Sequence, residues 1–322
     1  MNWLITGGCG FIGTSLIKVL TQQNNHNIRI IDNLTTGTRE DLANVCSFDE
    51  INETDIGEFN KIELIVGDIL DEELAIKVTK GVDIIIHLAA NTGVGPSVEN
   101  PRADCLANVM GTFNYLEAAR INQALRFVFA SSGAPAGEVE PPIHEELPPH
   151  PVSPYGASKL AGEGYCSAYN KTFGIQTVIL RFGNVYGPGS LHKSSVVAKF
   201  IRQALNKESL EIYGDGTQTR DFIYIDDLIN ALMLAVTTEN IGGEAFQIAS
   251  NQETTVGEIT DKIVSILNQN GVADIIVVND DTRLGDVKRN YSDTSKARTK
   301  LGWQPAMTQE EGLKRTIEYF VK

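Results

Sequence analysis

The segment Thr6-Gly7-Gly8-Cys9-Gly10-Phe11-Ile12-Gly13 constrains this chain more than any other. Its glycines at 7, 10 and 13 have G-x-x-G-x-x-G spacing and directly follow an apolar run, Trp3-Leu4-Ile5. A strand that turns through glycines into a helix presents backbone N–H groups, here those of Gly10, Phe11, Ile12 and Gly13, to an anion at the positive end of the helix dipole. Such a turn can also be nothing more than a tight strand-to-helix connection. The next β-branched run, Ile28-Arg29-Ile30-Ile31, ends in Asp32, 19 residues beyond Gly13. An acid at that strand end accepts hydrogen bonds from a ribose diol and repels a 2′-phosphate, so the two features together predict a dinucleotide site selective for NAD over NADP. Gly67-Asp68-Ile69, after a third run, suits an adenine contact, with Asp68 as a helix cap the alternative reading.

The rest of the first half keeps the same rhythm. Strands are predicted over Trp3–Thr6, Ile28–Asp32, Ile62–Val66, Val82–His87, Arg126–Ser131 and Thr177–Arg181, with helices near 12–22, 71–80, 101–122 and 153–172. Most of the strand runs are continuously apolar, the pattern of a parallel sheet covered on both faces. The fold class is therefore α/β, a doubly wound Rossmann-like sheet. After about residue 185 the texture changes at Gly187-Pro188-Gly189 and Gly214-Asp215-Gly216, and helical patterns return at 226–236, 256–269 and 308–320. Residues 245–249 read as one more strand returning to the main sheet. The expected organisation is a nucleotide-binding domain over 1–182, rejoined by a segment near 222–250, and a smaller interleaved α/β substrate-binding lobe over 183–322. The proline-rich stretch Pro141–Pro154 reads as an ordered, stiffened loop before a helix.

Charge narrows the partners. Lys and Arg number 27 against 41 Asp and Glu, a net of −14, which repels a nucleic acid while leaving room for a small phosphate held by a few local arginines. No run approaches the ~18 apolar residues of a membrane span. There is no basic stretch before the first apolar run, so no secretory leader is visible. Cys9, Cys46, Cys105 and Cys166 lie far apart without C-x-x-C spacing, which suggests neither a disulfide frame nor a metal site and fits a cytoplasmic setting. His144-Glu145-Glu146 is read as a solvated loop rather than a metal site, and His87, at a strand end, as structural support.

Tyr155 and Lys159, in Pro154-Tyr155-Gly156-Ala157-Ser158-Lys159, stand one helical turn apart and face the same way. A phenol with a reference pKa of ~10 is a poor base at neutral pH. A neighbouring ammonium and a cationic nicotinamide both favour the phenolate, which can then take a proton from a sugar hydroxyl as hydride leaves the same carbon. An isolated Y-x-x-x-K could equally be an exposed helix pair. Its place after the Arg126–Ser131 strand of a nucleotide-binding fold is what gives it meaning.

With these features the chain carries Asp32-Asn33-Leu34-Thr35-Thr36-Gly37, His87-Leu88-Ala89-Ala90, Asn108-Val109-Met110-Gly111-Thr112, Ser131-Ser132, Arg181-Phe182-Gly183-Asn184-Val185-Tyr186-Gly187-Pro188 and Arg220-Asp221-Phe222-Ile223-Tyr224-Ile225-Asp226-Asp227. Over essentially its whole length it resembles the extended short-chain dehydrogenases/reductases of the nucleotide-sugar epimerase/dehydratase group, most of all UDP-hexose 4-epimerases. The resemblance implies NAD as cofactor and a UDP-sugar as substrate. It implies catalytic roles for Ser132, Tyr155 and Lys159. It also implies cofactor contacts from Asn33, Thr36, Gly37, Asp68, Ile69, Leu88, Ala89 and Ala90 beside the glycine turn. Asn184, Arg220, Arg283 and Asp286 resemble the nucleotide-sugar site, with the arginines on the diphosphate and Asp286 on the uridine ribose; surface ion pairs are the alternative for the arginines. In relatives the helices matching 101–122 and 153–172 form a four-helix interface, so a homodimer is expected, with intramolecular packing as the alternative.

The sequence also departs from the pattern. Gly133-Ala134-Pro135-Ala136-Gly137 follows Ser132 where the family usually ends in Val-Tyr-Gly. The 4,6-dehydratases of the group carry an Asp-Glu pair where this chain has Gly133 and Ala134, so the resemblance points away from dehydration. Epimerisation at C4 needs no such pair: hydride leaves, the 4-keto sugar turns over, and hydride returns to its other face. Asn290 falls near the position where related epimerases use residue size to admit or exclude a C2 N-acetyl group, and an Asn leaves room for one. The expected activity is an NAD-dependent nucleotide-sugar 4-epimerase acting on a UDP-hexose or its N-acetyl or uronic form. A 4-ketoreductase or UDP-uronic-acid decarboxylase is the second enzyme reading and a non-catalytic NAD sensor the remote one.

Overall fold

The continuous apolar runs become strands buried on both faces. The computed structural model describes residues 1–23, 25–282 and 287–322. In β1 (Asn2–Thr6), Trp3 and Ile5 pack into one hydrophobic layer and Leu4 into the other. The chain continues through α1 (Phe11–Gln22), β2 (Asn27–Asp32), α2 (Arg39–Ala43), β3 (Asp49–Glu50), β4 (Ile62–Val66), α3 (Glu72–Val78) and β5 (Ile84–His87). Three short helices, α4 (Val94–Glu99), α5 (Pro101–Cys105) and α6 (Thr112–Ile121), lead to β6 (Arg126–Ser132), α7 (Pro154–Phe173) and β7 (Gln176–Phe182). The remainder is β8 (Asn184–Tyr186), α8 (Val196–Leu205), β9 (Leu210–Tyr213), β10 (Thr219–Arg220), β11 (Phe222–Tyr224), α9 (Ile225–Thr237), β12 (Glu244–Ile248), β13 (Thr254–Thr255), α10 (Val256–Gln269), β14 (Val277–Asp280) and α11 (Gln309–Val321).

The main sheet has the order β12-β7-β6-β5-β1-β2-β4-β3, and all its pairings are parallel. Strand order reverses between β1 and β5, so the crevice for a ligand opens at their carboxyl ends, where Thr6 and His87 stand side by side. β12, expected as a returning strand, pairs with β7 at the far edge. Two stretches differ from the sequence expectation. Residues 101–122 are not one helix: Leu106–Gly111 form a π-helical turn between α5 and α6. The wider turn buries Asn108 and Gly111 while leaving Leu106 and Met110 exposed. Residues 196–205, expected to carry no helix, form α8, in which Val197, Phe200, Ile201 and Ala204 are buried at helical spacing.

Candidate functional site

The glycine turn is built by close approach. Gly7 has φ +69°, and a β-carbon there would lie 2.9 Å from the Ala89 nitrogen. A β-carbon on Gly13 would come within 2.5 Å of Gly8 Cα, and one on Gly37 within 2.2 Å of the Cys9 carbonyl carbon. Strand, helix and the 33–37 loop can therefore meet only through glycine. Gly7 N–H donates to Ile31 O and Gly10 N–H to Gly7 O. No side chain caps α1, so the first-turn N–H groups of Phe11, Ile12 and Gly13 stay available to an anion. Asp32 accepts from Cys9 N–H (2.9 Å) and Leu34 N–H (2.8 Å), which ties the acid to the turn it complements. Burial raises the Asp32 pKa above the usual carboxylate value, and those two N–H groups hold it down. Asp68 does not cap α3, a role taken by Asp71; it accepts instead from Leu70 N–H and from the Asn33 amide (3.1 Å). Ile69 is buried, its carbonyl accepting from Asn114. Thr36 is exposed, beside an opening of about 470 Å³ that it lines with Thr35, Leu191, His192 and Arg202.

A buried network that the sequence reading did not foresee joins this turn to the centre. Thr112 Oγ1 donates to Asn108 O (2.7 Å), so it accepts from His87 Nε2 (3.2 Å). His87 Nδ1 is then an acceptor for the Thr6 hydroxyl (3.0 Å), whose oxygen accepts from Leu88 and Ala89 N–H (3.1 Å each). The ring is neutral, its pKa driven down to about 3 by burial first and the Lys159 charge second. His87 is thus structural, and it fixes the Leu88-Ala89-Ala90 backbone against Gly7. Asn108, turned inward by the π-helical segment, donates to Asn91 O (2.9 Å), Asp104 Oδ1 (2.9 Å) and Ser158 Oγ (3.1 Å) and accepts from Asn91 N–H (2.8 Å). The sequence offers Asn108 and Thr112 one helical turn apart in a stretch that resembles the family's, but nothing in it says what they contact.

Ser132, Tyr155 and Lys159 come together where β6 meets α7. Ser153 caps α7, Pro154 occupies its first turn, and Tyr155 follows. A β-carbon on Gly156 would lie 2.6 Å from Ala134 O, so this glycine lets the helix start press onto the turn after Ser132. Burial pushes the Tyr155 phenol up to about 12, against a hydrogen bond with Ser132 that favours its ionised form. Lys159 is buried, donates to Ala130 O (2.9 Å) and has its ammonium 5.9 Å from the Tyr155 ring centre. Burial lowers its pKa to about 8, with Asp104 and Glu163 opposing the shift. Below the lysine, Glu163 accepts from Ser131 (2.5 Å) and pairs with Arg181 (2.7 Å).

Asn290 faces Gly133: a β-carbon on Gly133 would lie 3.5 Å from Asn290 Oδ1. The proline-rich loop creates that juxtaposition, since Ile143 N–H donates to Tyr291 O and Asp293 N–H donates to Ile143 O (2.8 Å each). Glu145, in the stretch read as a solvated loop, accepts from Gln247 N–H (2.7 Å) and fastens the loop to β12. Asn184 begins β8 with its N–H on Asp221 O. The partly buried Arg220 donates to Thr219 O (2.6 Å) and Val287 O (2.9 Å), at the border of the segment expected to hold the nucleotide. Arg283 and Asp286 lie outside the described residues.

A doubly wound parallel sheet, a glycine turn with an acid at the next strand end, and a Tyr-Lys pair on α7 beside Ser132 at the end of β6 define a nucleotide-dependent hydride- and proton-transfer protein of the short-chain dehydrogenase type. Residues 3–249 match the model of the NAD dependent epimerase/dehydratase family. A putative UDP-glucose 4-epimerase of Methanocaldococcus jannaschii is 40% identical over 98% of this chain and 97% of its own. The crystal structure of the UDP-glucose 4-epimerase of Thermotoga maritima with UDP-glucose matches with TM-score 0.89 and 33% identity, covering 100% of this chain and 99% of that one. That of the UDP-glucuronic acid 4-epimerase of Bacillus cereus with UDP-glucuronic acid and NAD matches with TM-score 0.88 and 32% identity, over 100% and 99%. The chain belongs to the NAD dependent epimerase/dehydratase family.

Proposed function

We propose that this protein is an NAD-dependent UDP-sugar 4-epimerase. The observation that carries the reading is that Ser132, Tyr155 and Lys159 stand together, while the residues that follow Ser132, Gly133 and Ala134, bring no carboxylate. The cradle fits NAD: free N–H groups at the start of α1, Asp32 for the adenosine ribose, and a backbone at 88–90 held against Gly7. Bound NAD supplies a reversible hydride acceptor at the sugar C4. The chain's own residues handle the proton. Tyr155 Oη takes it from the C4 hydroxyl, with Ser132 Oγ bridging the two oxygens, and holds it while the keto sugar turns over. It then returns the proton to O4. The Lys159 ammonium stabilises the phenolate, lowering the cost of ionising a half-buried phenol.

On the substrate side we assign Asn184 and Arg220, with Arg283 and Asp286, to the UDP moiety, and the gap between Gly133 and Asn290 to the C2 substituent. An N-acetylated sugar fits that assignment. We also read 1–182 and 222–250 as the cofactor domain and the rest of 183–322 as the substrate lobe. Leu106, Met110, Tyr165 and Phe173 are 39–50% exposed on the helices expected to pair in a homodimer. Such an enzyme would work in the cytoplasm, supplying epimers for carbohydrate metabolism and polysaccharide biosynthesis. Among the described residues no helix is long and apolar enough to cross a membrane.

The test is to mix the purified protein with a panel of UDP-sugars, adding no cofactor, and follow the anomeric protons by NMR. Appearance of the C4 epimer at constant total sugar is the expected outcome. Tyr155→Phe should cut turnover by about 10²–10⁴-fold while still binding NAD. Consumption of added NADH, or release of CO₂, would replace the epimerase reading with a reductase or a decarboxylase.

A further inference from the structure

The loop between β8 and α8 takes no part in the proton transfer, yet it reaches from the substrate lobe onto the cofactor side. A β-carbon on Gly189 would lie 3.6 Å from Phe11 Cδ2, so the loop backbone rests on the first side chain of α1. Four residues on, the Lys193 ammonium stands 5.6 Å from the centre of the Phe11 ring. The loop is held at other points as well: His192 Nε2 lies 3.4 Å from Asp41 Oδ2 in α2, and Arg202 donates to Leu191 O (2.5 Å). Lys193 has no ion pair and no side-chain hydrogen bond among the described residues. Its surroundings remove enough water to lower its pKa to about 8. In a chain of net charge −14, a half-buried cation without an anion stands out.

We propose that Lys193 is a cofactor-binding residue whose ammonium pairs with the NAD diphosphate, and that the loop around it straps the cofactor into its crevice. The proposal rests on the dinucleotide reading of the glycine turn and goes one step further. The N–H groups of Phe11, Ile12 and Gly13 approach the diphosphate from one side, as hydrogen-bond donors carrying only partial charge. Lys193 adds a full positive charge from the other lobe, and the anion gives it the partner that it lacks among the described residues. On the adenosine side, the same loop contributes Leu191 and His192 to the opening lined by Thr35 and Thr36. A strap of this kind suits a reaction that gives its hydride back, because cofactor lost in mid-cycle would strand a keto sugar.

The experiment compares wild type, Lys193→Met and Lys193→Arg for NAD retained after gel filtration. On NAD-free protein it compares affinity for NAD, ADP, adenosine and UDP by calorimetry. A charge-assisted contact predicts at least about tenfold weaker NAD and ADP binding in Lys193→Met. Adenosine and UDP binding should be unchanged, the thermal midpoint without ligand kept, and Lys193→Arg should bind within a few-fold of wild type. Unaltered NAD and ADP binding in Lys193→Met would reduce the lysine to packing on Phe11 and overturn the proposal. Loss confined to UDP would move the contact to the nucleotide sugar, and equal loss of adenosine would mean a collapsed loop; either result also overturns it. Failure of the wild type itself to bind NAD would refute the underlying cofactor reading instead.

Discussion

Replacing Thr6 by Val is the most revealing single test of how the crevice is built. Valine has nearly the same shape and suits a strand, so the change removes one hydroxyl and little else. In the structure that hydroxyl accepts from Ala89 N–H (3.1 Å) and Leu88 N–H (3.1 Å) and donates to His87 Nδ1 (3.0 Å). Leu88 N–H keeps its second acceptor, Thr6 O, at 3.2 Å. Ala89 N–H and His87 Nδ1 are left without a partner. Each buried polar group so orphaned costs about 1–3 kcal/mol, giving ~2–6 kcal/mol in all. With an unfolding entropy of ~2.1 cal/mol/K per residue over 322 residues, the thermal midpoint should fall by roughly 3–9 °C. Because Ala89 N lies where a β-carbon on Gly7 would be at 2.9 Å, the freed backbone should also loosen the glycine turn and weaken NAD binding. Thr6→Ser keeps the hydroxyl and is the control, expected to fall less. Differential scanning calorimetry and NAD titration of the three proteins decide the matter. A Thr6→Val protein as stable as wild type and binding NAD equally well would refute the network as described.

Three further changes probe the remaining parts. Lys159→Met should abolish turnover without lowering the thermal midpoint at pH 7. The lysine pKa is lower in the fold, at about 8 against the usual 10.5, so its charge opposes folding fully below pH 8 and not at all above 10.5. That penalty is up to about 3 kcal/mol, and a clear drop in midpoint would show that the ammonium is better partnered than Ala130 O alone allows. Asn290→Tyr should close the gap toward Gly133 and lower kcat/KM for UDP-N-acetylglucosamine by at least about tenfold while sparing UDP-glucose; equal losses for both would remove Asn290 from the C2 site. Met110→Asp places a charge on the exposed apolar face of the π-helical turn, and analytical ultracentrifugation should show a dimer become monomeric, whereas an unchanged species would place any interface elsewhere.

The amino-acid sequence by itself determined the parts that depend on short-range pattern. Uninterrupted apolar runs specify strands covered on both faces. The glycine spacing specifies a turn into a helix, and Asp32 and the Tyr155/Lys159 pair lie at fixed offsets from strand and helix ends. These are local rules, legible without knowing which strand neighbours which. Tertiary structure alone decided what meets across long separations. Thr6, His87 and Thr112 become one chain of hydrogen bonds only because β1 and β5 pair at the point where strand order reverses. Asn108 points inward because a π-helical turn, which no periodicity announces, shifts the register of the helix by one residue. Asn290 reaches Gly133 only through backbone pairing of the proline-rich loop with residues 291–293. Lys193 reaches Phe11 because a loop of the second lobe crosses to the first. Each is a contact between segments whose own sequences satisfy many other arrangements, and only packing selects among them.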